Sequence, residues 1–178
     1  GIELSVFALT DGKNYILLPE AKDYKRIGEQ DQGLNTGGMG AVSPVPFADA
    51  AFMKRVEEEV VIPTVRGLQS ENIPYCGFIF IGLMNDQGTP YVIEYNVRMG
   101  DPETEVVLPR IESDLVEVLQ AAALGKLNEV QLQVSSKTAM TTVVVAGGYP
   151  EAYQKGDVMT FPAPIEDTIL FHAGTAEQ

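Results

Sequence analysis

The chain has 178 residues, 45% hydrophobic and 21% charged, long enough to remove roughly 70% of its unfolded surface from water without metal or disulfide staples. Its formal net charge of −13 sets the surface against nucleic-acid phosphates and anionic lipid, so neither nucleic acid nor membrane is expected as a partner. A single cysteine, Cys76, excludes an intramolecular disulfide and favours a reducing, cytoplasmic setting.

Taken in chain order, Ile2 to Thr10 alternates like a strand, Asp11-Gly12 turns, and Asn14 to Leu18 returns, which predicts an opening β-hairpin. The start at Gly1, directly in a strand and without a basic leader, predicts that further sequence precedes it. Lys22 to Pro46 carries Lys25, Arg26 and five glycines with little apolar periodicity, and is expected to be a long functional loop.

A helix over about Asp49 to Ser70 follows, capped by Asp49, with Phe52, Val56 and Val60 on one face and a kink or restart at Pro63. Cys76 to Met84 and Tyr91 to Val97 are expected as strands joined by Asp86-Gln87-Gly88. Ser113 is expected to cap a helix with Leu115, Leu119 and Ala123 on its apolar face and Gly125 as its stop. Beyond a boundary placed near Leu127 to Ser136, short β-like runs are expected at Thr141 to Ala146 and Ile169 to His172.

The strand from Tyr91 to Arg98 is the most informative. Alternation puts Tyr91, Ile93, Tyr95 and Val97 on one face and Val92, Glu94, Asn96 and Arg98 on the other. Two oxygen donors two residues apart suit Mg²⁺ bound together with phosphate and water, and a neighbouring guanidinium suits phosphate or carboxylate. The spacing alone equally allows a half-exposed strand with a polar outer face. The acidic turn Met99 to Glu105 fits a helix N-terminus as well as a site. Asn35 to Gly40 permits close approach to an anion but lacks the lysine of a P-loop. Cys76 and His172 fall in different expected domains and make a poor nucleophilic pair, and one histidine with one cysteine excludes an ordinary zinc site.

Together, Asp23-Tyr24-Lys25-Arg26, Asn35 to Gly40 (NTGGMG), Val92 to Asn96 (VIEYN), Arg98 to Glu103 (RMGDPE), Ala146 to Pro150 (AGGYP) and Phe171 to Thr175 (FHAGT) resemble the glycinamide ribonucleotide synthetase (phosphoribosylamine:glycine ligase) family of the ATP-grasp superfamily. The resemblance implies an α+β fold: the second half of an ATP-grasp domain, antiparallel sheet with helices, over 1–130, then the start of an incomplete C-terminal β domain over 136–178. It implies ATP-driven joining of glycine to 5-phosphoribosylamine through glycyl phosphate, in purine biosynthesis. It places Mg²⁺ or Mn²⁺ on Glu94 and Asn96, and a catalytic role on Arg98. Lys25, Arg26, Asn35, Thr36, Gly37, Gly38 and Asp101 would line the nucleotide and substrate cleft.

Tyr24 stands where many members carry His, and Gly82 stands near where many ATP-grasp enzymes carry a further metal ligand. The family's N-terminal domain and first ATP-grasp half have no counterpart in the sequence, so this chain alone is expected to be inactive. Another ATP-grasp carboxylate–amine ligase and a non-catalytic ATP-grasp-like module are the alternatives. An unpaired edge in the tail leads us to expect self-association.

Overall fold

The computed structural model describes residues 1–163 and 165–177. They divide into two compact units, Gly1–Val143 and Val144–Gln178.

In the first unit, β1 (Ile2–Thr10) lies inside an antiparallel sheet of order β2-β1-β5-β6, with β2 Tyr15–Leu17, β5 Gly77–Asp86 and β6 Thr89–Asn96. Its alternation divides two apolar cores. Leu4, Val6 and Ala8 join Ile79, Ile81 and Leu83 against Phe52, Val56, Val60 and Val61. On the opposite face, Phe7 and Leu9 meet Phe80, Val106, Val107, Val118 and Leu127. Phe7 and Phe80 meet edge to face with ring centres 5.4 Å apart.

The stretch expected as a loop over Lys22–Pro46 is instead mostly sheet. β3 (Lys22–Gly28), a 3₁₀ turn at Glu29–Asp31 and β4 (Gln32–Ser43) form a bulged antiparallel hairpin, and β7 (Ala139–Thr142) pairs with the far edge of β4. The glycines that look like loop composition serve backbone proximity. A Cβ on Gly40 would lie 2.6 Å from the Thr141 carbonyl oxygen, so only glycine lets β4 and β7 approach this closely. The two sheets meet where Ser5 and Ala21 exchange backbone hydrogen bonds of 2.7 and 2.9 Å.

Asp49 caps α1 (Ala50–Val56) by accepting from the Phe52 N–H at 2.8 Å. At Pro63 the helix restarts, as expected. A π segment at Glu57–Val61 leads into α2 (Ile62–Ser70), and the Ile62 N–H bonds back to the Glu57 carbonyl, so the wider turn sits just ahead of the proline that lacks a donor. After a short α3 (Thr104–Val107), α4 (Leu115–Ala123) is capped by Asp114, not Ser113. Asp114 accepts from the Val116 N–H at 2.8 Å, whereas the Ser113 hydroxyl accepts from Gln133 N–H. The apolar face of α4 is also rotated from expectation: Val118 and Ala122 are buried, Leu115 is partly so, and Leu119 and Ala123 are exposed. Gly125 ends the helix at φ +71°, as expected.

The first unit runs past the 127–136 region because β7 is laddered to β4 and the buried Arg110 guanidinium ties Ser43 Oγ (2.7 Å) to the carbonyls of Ser135 (3.0 Å) and Lys137 (3.1 Å). β7 ends at Thr142, so the run expected to Ala146 is shorter. Among the described residues of the second unit there is no strand. Ile169 to His172 is apolar but has no ladder partner there, and a strand exists only through its pairing.

Asp11 closes the β1–β2 turn. Its Oδ1 accepts from the N–H groups of Lys13 and Asn14, and its Oδ2 from the Asn14 amide and the Leu127 N–H. Burial, the largest single influence, raises its pKa, but the hydrogen bonds of Asn14, Lys13 and Leu127 outweigh it and bring it from 3.8 down to about 2. The stability it contributes is therefore present above pH 3.8 and is lost as pH falls towards about 2. The difference in melting temperature between wild type and Asp11→Asn should be largest near neutral pH and shrink across that acid window. Ile81→Ala, in the fully buried centre of β5, should cost about 2–5 kcal/mol in urea unfolding. Ile93→Ala, 53% exposed on β6, should stay within about 0.5 kcal/mol of wild type.

Candidate functional site

β6 is paired on one side only, with β5, and its middle is exposed. The ladder shifts between Gly82 and Leu83: Gly82 opposes Glu94 and Leu83 opposes Val92, so Ile93 is an extra, bulged residue. Beyond the bulge, Tyr95 turns to the helix side, where its hydroxyl meets Thr64 Oγ1 at 2.8 Å. Glu94 and Asn96 face the other way, in the rows of Gly82 and Phe80.

There the two side chains lie together: Asn96 Nδ2 donates to Glu94 Oε1 at 3.2 Å. Glu94 occupies the space that Gly82 leaves open, since a Cβ on Gly82 would sit 3.1 Å from Glu94 Cγ. Among the described residues, no three His, Cys, Asp or Glu side chains converge as a metal cluster. One carboxylate and one carboxamide oxygen make a partial, all-oxygen donor set, which fits a hard divalent cation that takes its remaining ligands from phosphate and water.

The other motif residues form a connected wall on β3, β4 and the acidic turn. Arg26, register partner of Asn35, donates from Nη1 to the Gly33 carbonyl at 2.8 Å and so closes the hairpin. Thr36 Oγ1 donates to the Lys25 carbonyl at 2.8 Å and accepts from the Gly38 N–H at 3.0 Å. Gly37 lies exposed between them. Gly38 is buried at φ +132°, and a Cβ there would lie 2.4 Å from Pro102 Cδ and 3.2 Å from the Asp101 carbonyl oxygen. The glycine-rich strand thus rests directly on the acidic turn, with the Asp101 side of that turn exposed.

Arg98 is the least integrated of the expected residues. It follows the end of β6, donates to the adjacent Met99 carbonyl at 2.8 Å, and makes no hydrogen bond or ion pair with Glu94 or Asn96 among the described residues. Cys76 Sγ donates to the Ala122 carbonyl at 3.4 Å, while His172, in the second unit, bonds Thr175 Oγ1 at 3.1 Å.

Lys25 carries the site's best-defined charge. Its Nζ stands 3.5 Å from Asp23 Oδ2 and 3.8 Å from Glu3 Oε2. Burial would lower its pKa, but the charges of Asp23 and Glu3, the Asp23 hydrogen bond and the charge of Glu103 together raise it, so it remains an ammonium. Four residues on this side of the site were not among the expected site residues. Asp23 was visible within its motif, and Glu103 within the acidic turn. Ser5 and Glu3 carry no local signal, being alternate residues of an ordinary strand. A shallow concavity of about 470 Å³ between Lys13, Tyr15, Glu57 and Arg66 contains none of the expected residues.

Chains of the same architecture place this fold in the ATP-grasp class. An L-amino acid ligase from Bacillus licheniformis matches at a TM-score of 0.56 and 19% identity, over 83% of this chain and 35% of that one, a likeness of fold alone. Phosphoribosylamine–glycine ligase from Thermotoga maritima matches at 0.76 and 38% identity, over 88% of this chain and 39% of that one. The family model for the ATP-grasp (A) domain of phosphoribosylglycinamide synthetase matches residues 1–104, and the chain belongs to that family. Among curated relatives, phosphoribosylamine–glycine ligase of Chlorobaculum tepidum is 50% identical over 98% of this chain and 42% of its own length. A bifunctional purine biosynthetic protein of Pichia angusta is 47% identical over 100% of this chain and 23% of its own length. The chain therefore spans well under half the length of these relatives.

Gly38→Ala combines a left-handed backbone with a clash against Pro102 and should lower stability by about 1–3 kcal/mol. In amide exchange, the lost protection should concentrate at Thr36–Gly40 and 100–104; a uniform loss through β1 and β5 would place the defect elsewhere.

Proposed function

We propose that this chain forms the metal-and-phosphate wall of a ligase that joins glycine to 5-phosphoribosylamine, converting ATP to ADP and phosphate. ATP-grasp ligases work with ATP and a divalent metal. The observation that carries the reading is the pairing of Glu94 and Asn96 opposite the gap at Gly82, on a chain 50% identical to a ligase of that name.

In this reading Glu94 and Asn96 hold Mg²⁺ or Mn²⁺, which when bound neutralises phosphate charge and steadies the transferring phosphoryl group. A glycine carboxylate oxygen bonds to the γ-phosphorus as the bond to ADP breaks. The amine of phosphoribosylamine then attacks the carbonyl carbon of glycyl phosphate, phosphate leaves, and the nitrogen gives up a proton. Lys25 and Arg26 supply positive charge on the β3 side, and Arg98 can turn its remaining donors to the acyl phosphate from the end of β6. The backbone of Asn35, Thr36, Gly37 and Gly38 permits close approach of an anion, and Asp101 faces the same opening. Exclusion of water from an acyl phosphate needs walls on both sides of the cleft. The 178-residue chain by itself is accordingly proposed to be inactive, with catalysis belonging to the full-length protein that carries this sequence.

In that full-length protein, Glu94→Gln keeps shape but removes one charge from a hard-cation site. It should lower turnover about 10²- to 10³-fold and raise the Mg²⁺ concentration needed for half-maximal rate. Full turnover with an unaltered Mg²⁺ titration would overturn the assignment. Phosphate release that needs ATP but ignores glycine would point instead to another carboxylate–amine ligase.

A further inference from the structure

The ladder between β3 and β4 is regular at Asp23–Ala41 and Tyr24–Gly40, is interrupted, and resumes at Arg26–Asn35. Across the interruption β3 contributes only Lys25, whereas β4 contributes residues 36–39. The glycine-rich segment is therefore a bulge in β4 that lies opposite a single lysine. Main-chain groups in such a gap lose their ladder partners and must find others.

One side chain spans the gap. Thr36 Oγ1 donates to the Lys25 carbonyl at 2.8 Å and accepts from the Gly38 N–H at 3.0 Å. A hydroxyl has one proton, and here Lys25 takes it, so Thr36 does not also donate to a ligand phosphate. The Gly38 end of the bridge is fixed in turn, because Gly38 is buried against Pro102 and the Asp101 carbonyl. The Lys25 end is fixed beyond its main chain as well. Its Nζ stands 3.5 Å from Oδ2 of Asp23, a carboxylate 8% exposed, and 3.8 Å from Oε2 of Glu3 on β1. The lysine is thus held at its carbonyl by the bulge and at its ammonium by two carboxylates. A long side chain held in this way has lost its rotamer freedom before any ligand arrives, so an anion binds to it with little further ordering.

We propose that Thr36 is a positioning residue: by bridging the Lys25 carbonyl and the Gly38 N–H, its hydroxyl sets the shape of the β4 bulge and with it the place of Lys25. The inference rests on the reading of Lys25 as a cation of the phosphate and substrate cleft. Valine matches threonine in shape and lacks the hydroxyl, whereas serine keeps the hydroxyl and lacks the methyl. The two variants therefore separate the bridge from packing.

The test uses the full-length protein that carries this sequence, first without ligands. In Thr36→Val the Gly38 N–H should exchange about 3- to 10-fold faster than in wild type, with the amides of β1 and β5 unchanged, and Thr36→Ser should match wild type. Turnover with ATP, glycine and phosphoribosylamine then gives a double-mutant cycle. Thr36→Val should lower kcat/KM for ATP about 3- to 10-fold in the wild-type background and less than about twofold beside Lys25→Met, because the hydroxyl acts through the lysine. Thr36→Ser should restore the wild-type value. An unmoved Gly38 amide in a folded Thr36→Val protein overturns the proposal. So do Thr36→Val and Lys25→Met effects that simply multiply, and so does a Thr36→Ser protein as impaired as Thr36→Val. Should Thr36→Val fail to fold, Thr36→Ala takes its place in both measurements. If Lys25→Met turns over like wild type, the cleft reading of Lys25 fails, and the Gly38 exchange alone decides whether the hydroxyl sets the bulge.

Discussion

Strand β1 is the constraint on which the first unit depends. From Leu4 to Thr10 every residue is buried, so both faces must be covered and both edges paired. The covering helices, the second sheet and the acidic turn all take their place from it. Ser5, polar in the middle of this run, is where the second sheet attaches through Ala21 and where the acidic turn attaches through Glu103. A polar residue in the middle of a core strand is costly unless each of its groups is bonded, and here the amide, carbonyl and hydroxyl all are.

The candidate site is built by subtraction as much as by addition. Gly82 makes room for Glu94, Gly38 lets a strand lie on the Asp101–Pro102 turn, and Gly40 lets β7 close against β4. Each glycine forgoes packing and costs chain entropy on folding. The return is proximity of main chains, which brings β3, β4, β6 and the turn into one surface with little side-chain bulk between them.

Much of this was legible where side-chain period and backbone need agree. β1, β5 and β6 announce themselves by apolar alternation, Asp49 by its place before an apolar helix face, and Glu94 with Asn96 by two polar side chains on one strand face. β3 and β4 were not legible, because glycines chosen for close approach are indistinguishable in sequence from glycines chosen for turns. Ser113 and Asp114 are both good caps, and which one serves is decided by Gln133, which takes the Ser113 hydroxyl. Ser5 and Glu3 stayed hidden because their partners are nearly a hundred and about twenty residues away. The resemblance of motifs gave the family, which the comparisons bear out; the roles of the individual site residues are proposals.

The pairing of β7 with β4 has a temporal side. Ser43 finds its ladder partner Ala139 roughly a hundred residues later, and the Arg110 guanidinium cannot complete its bonds until Ser135 and Lys137 exist. During synthesis, β4 therefore leaves the ribosome with one edge open while the helices and the β5–β6 hairpin are still being made. The glycines along that edge, poor in side chains that could fasten onto a wrong neighbour, make it a weak template for misplaced strands during the wait. A segment shaped for close approach in the finished fold is thereby also a discreet one in the unfinished chain.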